Sequence, residues 1–199
     1  ANPTPLDLDR RVHHAAAIGD TARVLALAPQ AAQEAARVGA HQQAAAHLAT
    51  GLSHATKAPL AQQAQLHEDW SYEAGIAIGI NDDIIAARHR AIGLWRELGK
   101  KDAIARNYRW LSRMHWYRGE AELAYDYIGQ ALAALDGLSE TEEHAWAYSA
   151  LSQMHMLNDR TDDAVTWGER AISLSRKLGA NEPRIHALNN VASANPDGV

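Results

Sequence analysis

The sequence predicts an all-α protein built from stacked helix hairpins that recur about every 40 residues. Two observations carry this. The octapeptide Ala-Ile-Gly-Leu-Trp-Arg-Glu-Leu at 91–98 has close copies at 131–138 and 171–178, so the interval is 40 both times. The same spacing aligns Ala44, Ile84, Ala124 and Ala164, and then Leu52, Ile92, Leu132 and Ile172. Self-similarity at such a period marks an array in which each unit buries its apolar face against its neighbours. The second observation is local. Ala, Leu, Glu, Arg and Gln dominate, all good helix formers, and no stretch shows the alternation of a strand.

The elements follow in order. Residues 1–5 carry two prolines without periodicity and are expected to be an unstructured start. Leu8, Val12, Ala15 and Ala16 have helical spacing up to Ile18, and Gly19-Asp20 reads as a stop followed by a new N-cap. The next helix runs over 21–38, with a kink or break expected near Ala28 because Pro29 lacks a donor and clashes with the preceding turn. Gly39 closes it, 42–55 is its partner, and 56–59 is a turn. Residues 66–79 then pair with 82–98, where Asn81 or Asp82 caps the second helix and Gly99 ends it. The pattern repeats as 102–118 with 120–135, and as 140–157 with 161–178, the latter ended by Gly179. Ser139 and Glu142 have capping-box spacing. Residues 182–194 start a further unit that the sequence Asn-Pro-Asp-Gly at 195–198 cuts short. The domain reading is therefore one repeat domain over 1–199: entry helices and a weaker unit in 8–55, clear repeats in 62–98, 102–138 and 140–178, and a truncated unit in 182–194.

Bulk properties narrow the class. A chain of 199 residues, 47% hydrophobic and 22% charged, is long enough for a continuous core. No run reaches the roughly 20 apolar residues of a membrane helix, and no signal peptide is recognisable. The absence of cysteine rules out disulfides and thiolate chemistry, and it fits a reducing cytoplasm, the expected location. A formal charge of −5 argues against broad nucleic-acid binding, so no direct nucleic-acid partner is expected.

Each first helix has its own signature: Tyr108, Leu111, Ser112 and His115 in one copy, and Tyr148, Leu151, Ser152 and His155 in the next. With Gly119 at the turn and Ala124 and Ala131 on the second helix, this resembles the tetratricopeptide (TPR) pattern. That resemblance implies a right-handed superhelical solenoid. Ser112 facing Ala124, and Ser152 facing Ala164, would let paired helices approach closely. The departures are a period longer than the usual ~34 residues, and Glu68, Ser71 and Gly75 where other copies have Tyr, Leu and His. The N-terminal stretch, with His13-His14-Ala15, Gly19-Asp20, Ala28-Pro29, residues 35–41 and residues 44–48, resembles the region following the ATPase portion of bacterial LuxR-type regulators. That likeness implies a sensor arm in signal transduction, joined in a longer polypeptide to an ATPase and a DNA-binding domain.

The chain offers little chemistry. The segment from Gly93 to Gly99-Lys100-Lys101 has the wrong spacing for a phosphate loop and no Ser or Thr after the lysine. His67-Glu68 lacks the second histidine of a zinc protease helix, and no nucleophile elbow exists. No two histidines stand at ligand spacing on one helix face, so neither metal nor cofactor is expected. His115 and His155 read as packing residues, and the tryptophans as core bulk. The expectation is a non-catalytic binding protein.

One constellation stands out. In TPR-like stacking the first helices line the inner groove, on a face that here carries Asp69, Glu73, Arg106, Arg109, Arg113, Trp116, Tyr117, Trp146, Ser149, Gln153, Met156, His186 and Asn189. Guanidinium forks suit carboxylate or phosphate, and aromatic rings offer rigid apolar contact. Asp69 lies one period before Arg109, and Glu73 one period before Arg113. The face reads both as a ladder of exposed salt bridges and as a groove for a protein, a peptide or a small anionic effector, and the two readings are not exclusive. The runner-up settings are a free-standing TPR adaptor and an accessory repeat domain of a signalling enzyme.

Overall fold

A computed structural model describes residues 5–195, with side chains from Asp7 onward. The remainder of the expected unstructured start and of the Asn-Pro-Asp-Gly end lie outside the described residues. Ten α-helices and one short 3-10 turn account for the described chain, which contains no strand. No helix of it is long and apolar enough to cross a membrane. The helices fall into two compact units, Ala1–Lys100 and Lys101–Val199.

The first unit holds α1 (Pro5–Ala17), α2 (Thr21–Arg37), α3 (His41–Ser53), α4 (Leu60–Ile78) and α5 (Asp82–Glu97). The breaks lie where the turn chemistry put them. Asp20 accepts from the Arg23 amide, and Asn81 accepts from the Ile84 amide, so each satisfies an orphan donor at a helix start. Leu8, Val12, Val24 and Leu27 form one apolar cluster, and Ala44, Leu48 and Leu66 a second. The segment expected to be only a turn is a 3-10 turn at Ala55–Lys57, and α4 begins at Leu60, six residues before the start read from periodicity.

Of the kink or break expected near Ala28, the break does not occur: α2 runs unbroken from Thr21 to Arg37 with Pro29 inside it. Proline at position 29 leaves the Leu25 carbonyl without its helical donor. The Gln62 side-chain amide, reaching over from α4, donates to that carbonyl at 3.0 Å. A tertiary hydrogen bond thus replaces the lost helical one.

The second unit holds α6 (Lys101–Tyr117), α7 (Ala121–Leu135), α8 (Glu142–Met156), α9 (Thr161–Leu178) and α10 (Asn181–Ala194). Ile128, Leu135 and Leu151 centre one cluster, and Ala171, Ile172 and Ala187 another. Removing a side chain such as Ile128 from water is worth about 1.5–3 kcal/mol. The capping box of α8 is not the expected Ser139–Glu142 pair. It is built from Thr141, whose side chain meets the His144 amide while the His144 ring accepts from the Thr141 amide at 3.1 Å. His115 stacks on Tyr127 with ring centroids 5.0 Å apart, and His155 lies 5.8 Å from the Tyr125 ring, so both histidines pack as read.

Two details of the hairpins explain the irregular repeat. In α8 the Ser152 hydroxyl donates to the Ala164 carbonyl at 2.7 Å, which is the close helix contact expected from small residues. In the α4–α5 hairpin it is Ser71 that donates to the equivalent carbonyl, that of Ile84, at 3.1 Å. Ser71 therefore corresponds to Ser152, and α4 is offset by one residue against the 40-residue register. The supposed departures at Glu68, Ser71 and Gly75 come from this offset. On the second helices, Leu48, Arg88 and Ile128 occupy one buried place in successive hairpins, at 2%, 2% and 1% exposure. Gly168 occupies the same place in the last.

Arg88 is the odd member of that series. Its Nε donates to the Ser71 hydroxyl at 3.1 Å, and its Nη1 lies 4.0 Å from a carboxylate oxygen of Glu68. The other Glu68 oxygen accepts from the Trp95 indole N–H. The first unit thus carries a buried ion pair with its hydrogen bonds largely made, the condition under which such a pair is tolerated.

Candidate functional site

The site residues on α6 stand three and four apart, so Arg106, Arg109 and Arg113 share one face. That face looks toward α8 and α10 of the same unit. Arg109 lies near two indoles, with its guanidinium carbon 4.9 Å from the Trp146 ring centroid and 5.7 Å from that of Trp110. Arg113 lies 5.8 Å from the Trp110 ring and 5.4 Å from the Tyr117 ring, and its Nη2 donates to the Tyr117 hydroxyl at 2.9 Å. Such cation–π contacts strengthen as they are desolvated.

A carboxylate stands between two of the three arginines. Glu143, in the first turn of α8, places one oxygen 3.8 Å from Arg106 Nη1 and the other 3.8 Å from Arg109 Nη2. Arg109 Nε is buried and has no acceptor. Burial holds the Arg109 guanidinium below its ordinary pKa, against the pull of Glu143, and Arg106 and Arg113 push the same way as burial. Burial also raises the Glu143 carboxyl, opposed by Arg109 and Arg106. Arg113 has no carboxylate partner among the described residues, so the face keeps uncompensated positive charge.

Behind the stripe, α10 closes the cluster. His186 Nδ1 lies 2.7 Å from the Ser149 hydroxyl, and its ring is 5.6 Å from that of Trp146. Asn190 donates to the Ser149 carbonyl at 2.9 Å. The His186 pKa is lowered, first by burial and then by the Arg113 and Arg109 charges. Beyond Arg113 a cavity of about 170 Å³ opens between α6 and α8, lined by Arg113, Trp116, Tyr117 and Gln153 with Met154 and Leu157.

The structure thus brings Arg106, Arg109, Arg113, Trp116, Tyr117, Trp146 and Gln153 into one neighbourhood. Asn189 is exposed, and the residue that joins the cluster is its buried neighbour Asn190. Asp69 and Glu73 are in the first unit. Asp69 accepts from the Gln65 amide at 2.8 Å, and Glu73 pairs with His41 at 2.7 Å. Within its own unit Glu73 answers a histidine, and within the second unit Arg109 answers Glu143. Sequence reading missed Glu143 and Asn190, and placed Trp110 only as a core or groove residue. For Glu143 the signal was available, since an acidic residue in the first turn of a first helix faces the preceding first helix and need not stand a whole period away from its partner.

No protein-family profile matches the chain, and no curated protein matches it. Solved structures do. BtubC (BKLC) from P. vanneervenii is similar with a TM-score of 0.74 at 19% identity, over 97% of this chain and 82% of that one. A putative kinesin light chain of Podosopora anserina with nearly identical TPR-like repeats is similar with a TM-score of 0.64 at 13% identity, over 85% of this chain and 84% of that one. A point variant of that protein matches with a TM-score of 0.64 at 14% identity. The fold is TPR-like. At these identities the likeness speaks for the fold alone, and the TPR-like hairpins explain why arginines of α6 meet a carboxylate of α8: successive first helices lie side by side.

Proposed function

We propose that this chain is a non-catalytic, TPR-like binding arm whose α6–α8–α10 face holds a protein or peptide through an anionic group and an adjoining apolar residue. The observation that carries this is the stripe Arg106–Arg109–Arg113, which is flanked by Trp110, Trp146 and Tyr117 and approached by the Glu143 carboxylate at Arg106 and Arg109. Forked donors beside aromatic faces suit a carboxylate that arrives with apolar surface. The neighbouring cavity favours a peptide over a free effector. Its 170 Å³ suits one aliphatic side chain and falls below the roughly 300–1,000 Å³ of small-molecule pockets. The Ser149 hydroxyl, which lies 2.7 Å from His186 Nδ1, is fully buried and so is not presented to a substrate as a nucleophile.

The setting we infer is the sensor arm of a bacterial, cytoplasmic LuxR-type regulatory ATPase, in which partner binding would alter contacts with the neighbouring ATPase and DNA-binding domains. The N-terminal likeness in residues 13–48 supports it. The second reading is a TPR adaptor, favoured by the likeness to a putative kinesin light chain. Reading the full open reading frame separates the two.

The binding reading is tested by peptide phage display. Wild-type protein should select peptides enriched in Asp, Glu or a terminal carboxylate next to an aliphatic or aromatic residue. The R109A/R113A protein, with unchanged helical circular dichroism, should lose that enrichment. Selection of the same peptides by both proteins sinks the proposal.

A further inference from the structure

The guanidinium of Arg109 has two edges. The side-on edge is made of Nε–H and one Nη–H, and it is the edge that grips a carboxylate with two parallel hydrogen bonds. In this structure Arg109 Nη2 meets Glu143 at 3.8 Å, and Nε is buried without an acceptor. A charge-assisted N–H···O bond is ordinarily about 2.7–2.9 Å long. Glu143 is thus close enough to neutralise Arg109 and too far to hydrogen-bond it. The same holds on the other side, where its second oxygen stands 3.8 Å from Arg106 Nη1.

A carboxylate shared between two guanidiniums and bonded to neither is a weak holder of a strong site. A buried, unmade donor carries a desolvation penalty that any acceptor reaching it would relieve. The Arg109 guanidinium carbon also lies 4.9 Å from the Trp146 ring centroid and 5.7 Å from that of Trp110, contacts that favour its present position. Glu143 itself, at 18% side-chain exposure, borders solvent, and among the described residues these two long contacts are its ion pairs.

We infer that Glu143 is an internal stand-in for the ligand's carboxylate, which occupies the Arg106–Arg109 fork in the free protein and is displaced when a ligand carboxylate seats on the Nε edge of Arg109. This rests on the reading that the stripe binds an anionic group, and it adds that the chain carries its own competitor. Affinity is then set by a difference between two carboxylates for one fork. A ligand wins by making the two short bonds that Glu143 does not make and by filling the cavity beside Arg113 with its apolar part. A lone inorganic anion has no such second contact and competes poorly.

The test follows the Arg109 Nε–Hε signal by nitrogen-15 NMR, assigned with R109K, while N-acetyl-leucine is titrated as a minimal carboxylate with an aliphatic side chain. N-acetyl-leucine methyl ester and sodium sulfate serve as controls. In wild-type protein the acid should shift the signal and the ester should not. E143Q, which keeps the shape and removes the charge, should bind the acid at least threefold more tightly. E143D, which withdraws the carboxylate by one methylene, should fall between and covers the case in which E143Q folds poorly. Equal or weaker binding by both variants, with the shift in wild type intact, overturns the stand-in role and leaves the binding stripe standing. No shift in any of the three proteins overturns the inference and the stripe together.

Discussion

Gly168 offers a sharp test of how the last hairpin is packed. It holds the place filled by Leu48, Arg88 and Ile128 in the earlier hairpins, and a Cβ built there would stand 2.3 Å from Val191 Cγ2, 3.0 Å from the Ser152 hydroxyl and 3.7 Å from the Ala187 carbonyl. Carbon atoms prefer about 3.5–4.0 Å, so Val191 would have to move by at least about 1 Å. It has little freedom, because a helical valine strongly prefers one rotamer. Ser152 is held by its bond to the Ala164 carbonyl. The overpacking should cost about 1–3 kcal/mol, offset by about 0.8–1 kcal/mol of improved helix propensity. Gly129 is the internal control: it lies in α7 of the same unit, and its added Cβ would meet nothing within 4 Å. G129A should therefore stabilise by about 1 kcal/mol, and G168A should lie about 1–3 kcal/mol below it, the propensity gain cancelling between them. The assay is urea unfolding followed by far-ultraviolet circular dichroism, with the two variants compared at their midpoints. V191A should rescue G168A by more than it affects wild type, a coupling expected only of touching residues. If G168A is as stabilising as G129A, the reasoning about the α8–α9–α10 contact fails.

Three further outcomes are expected. R88A should destabilise by about 3–5 kcal/mol by stranding Glu68, whereas E68Q/R88M, which keeps an acceptor for the Trp95 indole, should be neutral or stabilising; a double variant as unstable as R88A in urea would show that the pair is not dispensable. Q62A should cost about 1–2 kcal/mol by orphaning the Leu25 carbonyl, and distinctly less in a P29A background, where residue 29 supplies its own donor; equal losses in both backgrounds would exclude the proposed replacement. Burial lowers the pKa of His47, His67, His155 and His186, so the unfolded chain binds protons there more strongly than the folded one. Their contribution is complete above the unfolded value of about 6.5 and is lost as pH falls below it. Asp69 and Glu143, raised by burial, act in the opposite direction nearer the carboxylate range. The urea midpoint should accordingly fall between about pH 7.5 and about 5.5, less steeply in H67N/H155N; a flat or rising midpoint contradicts the burial assigned to these rings.

The helices were legible because their punctuation is chemical and local. Gly19-Asp20, Asn81, Gly99 and Gly179 act within one turn of the chain, and the helix ends fall beside them. What was illegible depended on groups distant in sequence. Pro29 reads as a break to any local rule, and only Gln62, 33 positions on, supplies the missing donor. The α8 cap was misassigned because Ser139 and Glu142 fit the usual box, while His144 can accept a backbone hydrogen bond as well as a glutamine can.

The candidate site divides along the same line. Its cationic and aromatic half is one helix face, so Arg106, Arg109, Arg113 and Tyr117 follow from 3.6-residue periodicity alone. Its acidic half was sought at whole periods, which pointed to Asp69 and Glu73. A 40-residue period aligns equivalent places in successive units, but residues that touch are not equivalent: they approach from opposing faces of adjacent helices. Glu143 lies 37 residues after Arg106 and 34 after Arg109, short of the period by two turns or less. The same offset joins Tyr125 to Asn158 and Ser149 to His186, 33 and 37 positions apart. In an array of this kind partners should therefore be sought at the period less about one to two helical turns, because side chains lean toward the N-terminus of their own helix. Applied to Trp110, that rule reaches Glu143 and Trp146, which are the groups gathered around Arg109.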